Sequence, residues 1–214
     1  MDERSITARG HPAVGLPTHR LTPRRIPPGE HPPPQIRSLN GRRAGTIPRM
    51  ISIRAVAVDT PEAAALLRSY LGEMVDRYHG RPMPAAAVDE ALADEPGDDV
   101  AVLLVAYRSA TSGQDAAVGC VGLRLAEPPT GEITKMYVHP SARRLGIGRQ
   151  LLAAVERAAR DRGLRTLRLD TRTDLTEARA MYANAGYAEI PPHRERRYAD
   201  HWFAKDLATG KMGA

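Results

Sequence analysis

The 214-residue chain carries one cysteine, one tryptophan, one phenylalanine and only three lysines beside 28 arginines. Cys120 stands alone, so it cannot close an internal disulfide. Its place in an apolar run reads as a small buried hydrophobe rather than a nucleophile. A reducing, cytoplasmic setting is the expectation. No run of 18 apolar residues occurs, which argues against a membrane span, and no apolar segment follows the first charges, which argues against a secretory signal. There is no G-x-x-x-x-G-K-[ST], so the P-loop is excluded, and no third glycine to complete a G-x-G-x-x-G dinucleotide fingerprint. No internal repeat is evident.

Positive charge is unevenly spread. Residues 1–49 hold nine arginines against three acids (Asp2, Glu3 and Glu30), which accounts for the whole net charge of +6. The remainder is neutral and offers no electrostatic case for nucleic-acid binding. The same 49 residues hold half of the 18 prolines, including Pro27-Pro28 and Pro32-Pro33-Pro34. Such a segment buries too little apolar surface to offset the entropy of ordering it. It is expected to be a disordered leader, or sequence upstream of a native start at Met50. A basic arm touching RNA is the sharper alternative, but aromatics for stacking on bases are missing from it. Residues 50–207 read as one folded domain and 208–214 as a tail.

Within the body, elements alternate. Ile51 to Val58 is strand-like. Thr60-Pro61-Glu62 opens a helix, with Thr60 as N-cap and Pro61 at the first helical position, and its apolar positions include Ala63, Leu66, Leu67, Tyr70 and Met74. A short helix at about 85–94 follows the break at Gly80-Arg81-Pro82. Val100–Tyr107 and Ala116–Leu125 read as a hairpin across Ser109–Gly113. A strand at 131–138 leads to a helix at about 147–162 that stops at Gly163. Thr166–Thr171 is a strand. Asp174 and Glu177 have the spacing of a capping box for a helix at about 175–185. Strands near 187–190 and at 201–207 close the chain. The predicted order is β-α-α-β-β-β-α-β-α-β-β, a mixed α/β fold.

The junction of the 131–138 strand with its helix carries the chemistry. Ile133-Thr134-Lys135-Met136-Tyr137-Val138 runs into His139-Pro140-Ser141-Ala142 and then Arg143-Arg144-Leu145-Gly146-Ile147-Gly148. A strand feeding a glycine turn at a helix start gathers free N–H groups and the positive end of the helix dipole, which suits a phosphate. The spacing, Arg143-x-x-Gly146-x-Gly148, resembles the acetyl-coenzyme A signature of the GNAT family of N-acetyltransferases. About 35 residues on, Ala178-x-x-x-Tyr182-x-x-x-Gly186-Tyr187 is similar to a second block of that family. Two blocks in the right order are more specific than either alone, and the likeness spans about residues 51–207. One departure stands out: many relatives carry an Asn shortly before the second block, where Leu175 and Thr176 lie here.

The resemblance implies a GNAT fold, a mostly antiparallel mixed sheet flanked by helices. It implies acetyl transfer from acetyl-CoA to an amine by direct transfer in a ternary complex. It places the cofactor pyrophosphate on Arg143, Arg144, Leu145, Gly146, Ile147, Gly148 and Arg149, and the pantetheine arm along the backbone of Met136, Tyr137 and Val138. It makes Tyr182 the acid that protonates the leaving sulfur; helical spacing alone would make it a core tyrosine. It makes Glu132 the base that takes the amine proton, against a plain reading as a strand carboxylate paired with Lys135 or an arginine. Glu189, Asp200 and His201 are the other base candidates. Strict alternation puts Glu132, Thr134 and Met136 on one face and Ile133, Lys135 and Tyr137 on the other, unless a bulge intervenes.

Acceptor binding is expected from Tyr70, Tyr78 and His79 in the first helical segment, from Pro191-Pro192-His193-Arg194-Glu195, and from His201 on the last strand. The acids Asp89, Glu90, Asp94, Glu95, Asp98 and Asp99 read as a solvated face. A small-molecule amine is the expected partner, with no metal, no nucleic acid, no membrane, and a monomer or homodimer. The rival readings are an acyl-CoA-binding module without catalysis and an acetyltransferase for a protein or peptide amine.

Overall fold

The computed structural model describes residues 51–95, 97, 99–109 and 115–208. The expectations for residues 1–49, for Asp98, for most of the Ser109–Gly113 turn and for nearly all of the 208–214 tail lie outside the described residues.

Seven strands form one sheet: β1 Ile51–Val56, β2 Val100–Arg108, β3 Ala116–Leu125, β4 Thr130–Val138, β5 Thr166–Thr171, β6 Ala188–Ile190 and β7 His201–Asp206. Their spatial order is β1-β2-β3-β4-β5-β7-β6. All neighbours pair antiparallel except β4 and β5. Helices α1 (Pro61–His79) and α2 (Ala85–Asp94) precede β2, α3 (Ile147–Arg160) joins β4 to β5, and α4 (Thr176–Asn184) joins β5 to β6. The mixed α/β order read from the sequence is the one observed.

The two faces of the sheet have separate cores. On one, Ala63, Leu66 and Leu67 of α1 pack with Leu103, Val105, Cys120 and Tyr137. On the other, Ile147, Leu151, Leu152 and Val155 of α3 pack with Leu104, Val121, Leu123, Ile133, Leu167, Leu169 and Tyr182. The 147/151/155 and 152/159 spacing puts one stripe of α3 on the sheet. Burying each large side chain there contributes about 1.5–3 kcal/mol. Thr60 caps α1 through its hydroxyl, which accepts from the Ala63 amide, and Gly80 ends it in the left-handed region at φ 66°.

The expected capping box of α4 does not form. The helix starts one residue late, behind Leu175, with no side-chain cap. The acids are drawn elsewhere: Glu177 accepts from Arg77 of α1 at 2.5 Å, and Asp174 accepts from Arg172 at 2.8 Å and from Arg77 at 3.3 Å. Two guanidiniums compete successfully with backbone amides for these carboxylates, and in doing so fasten α4 to the end of α1.

Two features of β4 shape the middle of the sheet. Its pairing with β5 covers only Thr130–Glu132 against Thr166–Arg168, after which the strands part. Its pairing with β3 passes from Gly122↔Thr134 to Cys120↔Tyr137, so Lys135 and Met136 together oppose Val121. This is a β-bulge, with Lys135 at φ 52°. It overturns strict alternation beyond Thr134: Met136 and Val138 join Ile133 on the α3 side, and Tyr137 lies on the α1 side.

Candidate active site

Where β4 and β5 part, a cavity of about 1290 Å³ opens and passes through the sheet. Met136, Tyr137 and Val138 line it, as do Ile147, Gly148 and Arg149 of the first turn of α3 and Met181 and Tyr182 of α4. Toward the α1 side its wall is made by Tyr70, Tyr78, Lys135, Asp170 and Arg172, with Arg194, Arg196, Arg197 and Tyr198.

The turn before α3 is built for close approach of a ligand to the main chain. Gly146 is its N-cap at φ 76°, a conformation that costs a side chain roughly 1–2 kcal/mol. A Cβ there would touch nothing within 4 Å, so backbone conformation alone selects glycine. At Gly148 the reason is space: a Cβ would lie 2.9 Å from Met181 Sδ. Arg144 also has positive φ, at 62°, an uncommon state for a residue with a side chain. The first amides of α3 have no helical acceptor of their own and carry the positive end of the dipole.

The arginines of this turn differ. Arg143 donates through Nε to Val138 O at 3.0 Å and through Nη2 to Glu73 at 2.5 Å, so it braces the turn against α1. Arg144 and Arg149 line the cavity with exposed side chains. Leu145 is 53% exposed and does not line the cavity.

Tyr182 lies on the cavity wall although only 5% exposed. Its ring packs against Tyr187 at 5.9 Å and Phe203 at 6.3 Å, and its hydroxyl has no protein partner among the described residues. Burial pushes its pKa above the usual phenol value, and the charge of Asp170 pushes the same way. Tyr70 is raised by burial first and then by surrounding anions, Glu95 and Asp170 among them, and sits edge-on to Tyr137 at 6.2 Å. Tyr78, on the last turn of α1, stacks edge-on with Tyr198 at 5.2 Å, with Arg172 5.4 Å over its ring. The 191–200 segment thereby reaches across to α1 and forms part of the cavity wall.

Glu132 is buried but does not line the cavity. It accepts from Arg194 at 2.6 Å and Arg124 at 3.4 Å, with His193 at 3.5 Å, and Lys135 is not its partner. His201 also lies off the cavity, between Glu189 at 2.6 Å and Thr173 at 3.2 Å. Asp200 accepts from the Thr173 amide at 2.8 Å, which holds its pKa below the usual carboxylate value.

Two cavity residues were not singled out from the sequence. Lys135, on the bulge, is 3% exposed and donates to Glu95 O at 3.3 Å. Asp170, on β5, lines the cavity and pairs with Arg196 at 3.4 Å and Arg194 at 3.8 Å. Strand alternation would have found Asp170, because Leu167 and Leu169 face α3. Nothing local marks the bulge that buries Lys135. Among the described residues no group of acids, histidines or cysteines could hold a metal ion, and no helix is long and apolar enough to cross a membrane.

Known proteins resemble this chain in both sequence and fold. A model of the acetyltransferase (GNAT) family matches residues 64–187. The chain is 35% identical over 141 residues to an IAA acetyltransferase of Azospirillum brasilense, covering 64% of this chain and 86% of that protein. It is 33% identical over 112 residues to an aminoglycoside N(6')-acetyltransferase type 1 of Stenotrophomonas maltophilia, covering 50% and 69%. Among solved structures, an acetyltransferase of the GNAT family from Staphylococcus aureus superposes with a TM-score of 0.58 at 17% identity, over 74% of this chain and 99% of the other. The PaiA N-acetyltransferase from Thermoplasma acidophilum, solved in complex with coenzyme A, gives 0.55 at 16% identity over 73% and 99%.

Proposed function

The chain belongs to the GNAT family of acetyltransferases, and from that premise we propose that it moves the acetyl group of acetyl-CoA to the primary amine of a small molecule, by direct transfer in a ternary complex. The observation that carries this reading is the cavity through the sheet. It joins the glycine turn at Gly146–Gly148, the unpaired stretch of β4 and the Tyr182 hydroxyl in one continuous space.

Bound acetyl-CoA supplies an acyl carbon activated by a thiolate leaving group. The chain's part begins with the amides at the start of α3, which hold the pyrophosphate with Arg144 and Arg149 beside them. Arg143 keeps the turn in place through Glu73 and Val138. A backbone N–H of the Met136–Val138 edge polarises the carbonyl oxygen. The amine nitrogen forms the new C–N bond while the C–S bond breaks. Tyr182 gives its proton to the sulfur and regains one of the two protons the amine sheds; the other leaves to solvent. Tyr182 is suited to this because burial keeps it protonated until negative charge appears next to it.

Glu132 works as a brace in this reading. Held by two arginines and His193, it fixes the 191–200 segment and leaves no carboxylate oxygen on the cavity wall. The contact of Tyr78 with Tyr198 narrows the far end of the cavity, which favours a small acceptor over a protein segment. The single buried Cys120 and the dependence on acetyl-CoA fit a cytoplasmic setting.

Thermal-shift titration with acetyl-CoA, followed by release of free thiol in the presence of an amine panel, tests the proposal. Stabilisation by acetyl-CoA and thiol release with small amines are expected. No stabilisation at millimolar acetyl-CoA would refute it. Stabilisation without release from any amine would point to a binding module, and release with peptides alone to a protein acceptor.

A further inference from the structure

The ion pairs of the 191–200 segment leave an arginine unmatched, and Asp170 is the cavity-lining carboxylate among them. The 191–200 segment brings three guanidiniums to the wall, those of Arg194, Arg196 and Arg197. Two carboxylates form ion pairs with the first two. Glu132 is engaged by Arg194 at 2.6 Å and shared with Arg124, whose other anion is Asp99 at 2.5 Å. Asp170 is held loosely, with Arg196 at 3.4 Å and Arg194 at 3.8 Å. Arg197 lies over the Tyr198 ring at 5.3 Å and has no carboxylate partner among the described residues. Within this cluster, Arg124, Arg194, Arg196 and Arg197 against Asp99, Glu132 and Asp170, one positive charge is left over.

Asp170 is also the carboxylate whose charge reaches both Tyr70 and Tyr182, so it faces the reacting region from the acceptor side. An acceptor ammonium arriving there would find an anion on the cavity wall whose present partners are long contacts. It would also raise the surplus to two positive charges. An anion on the same molecule, a short distance from its amine, would cancel that surplus, because Arg196, released from Asp170, and Arg197 beside it present forks matched to a carboxylate.

We propose, resting on the transfer reading above, that Asp170 docks the acceptor's ammonium while Arg196 and Arg197 bind a carboxylate of the same molecule, so that the substrate is a primary amine that is also a carboxylic acid. The exposed acids Glu90 and Asp94 on the α2 side of the cavity favour the opposite class, a polycation. The two classes are therefore set against each other.

The test measures kcat/KM by thiol release at saturating acetyl-CoA. Amino acids with primary amines are compared with their carboxamides, with the corresponding decarboxylated amines, and with an aminoglycoside. The free carboxylate form is expected to exceed its carboxamide by roughly ten- to hundredfold, the range for losing a charge-assisted hydrogen bond. Arg196→Gln should lower the acid-to-amide ratio of kcat/KM by about tenfold, since any change it makes through Asp170 acts on the ammonium that both forms share. Asp170→Asn should weaken both forms alike. Equal use of acid and amide, better use of the aminoglycoside, or an acid-to-amide ratio untouched by Arg196→Gln would overturn the proposal. Stabilisation by acetyl-CoA is read in parallel. Its absence in the wild-type chain would refute the transfer reading itself, and its persistence confines any failure to the acceptor assignment. If either variant melts early, the acid-to-amide ratio of the wild-type enzyme decides alone.

Discussion

Replacing Tyr182 with phenylalanine separates a catalytic tyrosine from a packing one, because the structure makes the two readings predict different things. The ring is held by Tyr187 and Phe203, contacts that phenylalanine keeps. The hydroxyl has no protein partner among the described residues, so its loss removes no internal hydrogen bond. The expected stability change is below about 1 kcal/mol in either direction. For a domain of this size that is a melting shift of no more than about 2–4 °C. Acetyl-CoA should stabilise the variant as it does the wild type. Turnover, by contrast, should fall by roughly 10²–10⁴ if the hydroxyl protonates the leaving sulfur, which raises the barrier by about 2.7–5.4 kcal/mol. The assays are thiol release under saturating acetyl-CoA and, separately, cofactor-induced thermal stabilisation. A rate within twofold of wild type would return Tyr182 to the core. A loss of rate that tracks a loss of cofactor binding would make it a binding residue. The pH dependence adds a check. Burial, then the charge of Asp170, raises the hydroxyl's pKa, so it stays protonated through the mildly alkaline range. Tyr182 should therefore impose no alkaline fall in kcat below about pH 10.

Other expectations rest on the same geometry. Gly148→Val should abolish stabilisation by acetyl-CoA while the chain still folds, because the first added carbon already meets Met181 Sδ at 2.9 Å beside the cofactor turn; unchanged stabilisation would remove Gly148 from the cofactor site. Burial pushes the Cys120 thiol up to about 12, so it should resist alkylation in the native state at neutral pH. Cys120→Ala should still transfer acetyl groups, and a folded but inactive variant would contradict direct transfer. Stability should fall on the alkaline side. Cys120 and Tyr107, both raised first by burial, have folded values of about 12 against 9.0 and 10.0 free. The folded state thus holds these protons longer, and the contribution is complete below about pH 9 and lost as pH rises toward 12. A urea midpoint unchanged between pH 8 and 11 would refute this.

Periodic and punctuating features are legible in the sequence itself. The α3 stripe, the Thr60-Pro61 start of α1 and the glycine turn depend on neighbours within one or two helical turns. The family blocks carry the order of elements. Features set by distant partners are not legible. Asp174 and Glu177 have capping-box spacing, yet Arg77, 100 residues away, takes Glu177 and shares Asp174 with Arg172. The bulge at Lys135 changes which β4 side chains face α1, and no residue type announces it. Glu132 is a strand carboxylate in either reading; its contact with Arg194 of the 191–200 segment, 62 residues on, is not legible from its own neighbourhood. Asp170 is recoverable from alternation, but its arginine neighbours are not.

The parting of β4 from β5 has a consequence for how the chain survives in a crowded solution. A strand edge with free amides and carbonyls invites another chain to add itself as a further strand, and proteins usually blunt such edges at the rim of a sheet. Here the open edge lies in the middle of the sheet, because pairing with β5 stops at Glu132. It is walled by α1, α3, α4 and the 191–200 segment. A slender extended ligand needs less room there than a full polypeptide strand with side chains on both faces. The fold thus keeps a stretch of backbone ready for pairing away from the rim of the sheet, where another chain would add as a strand. In hydrogen exchange, the Met136–Val138 amides that lack a β3 partner should exchange quickly in the free protein and slow markedly when acetyl-CoA is added.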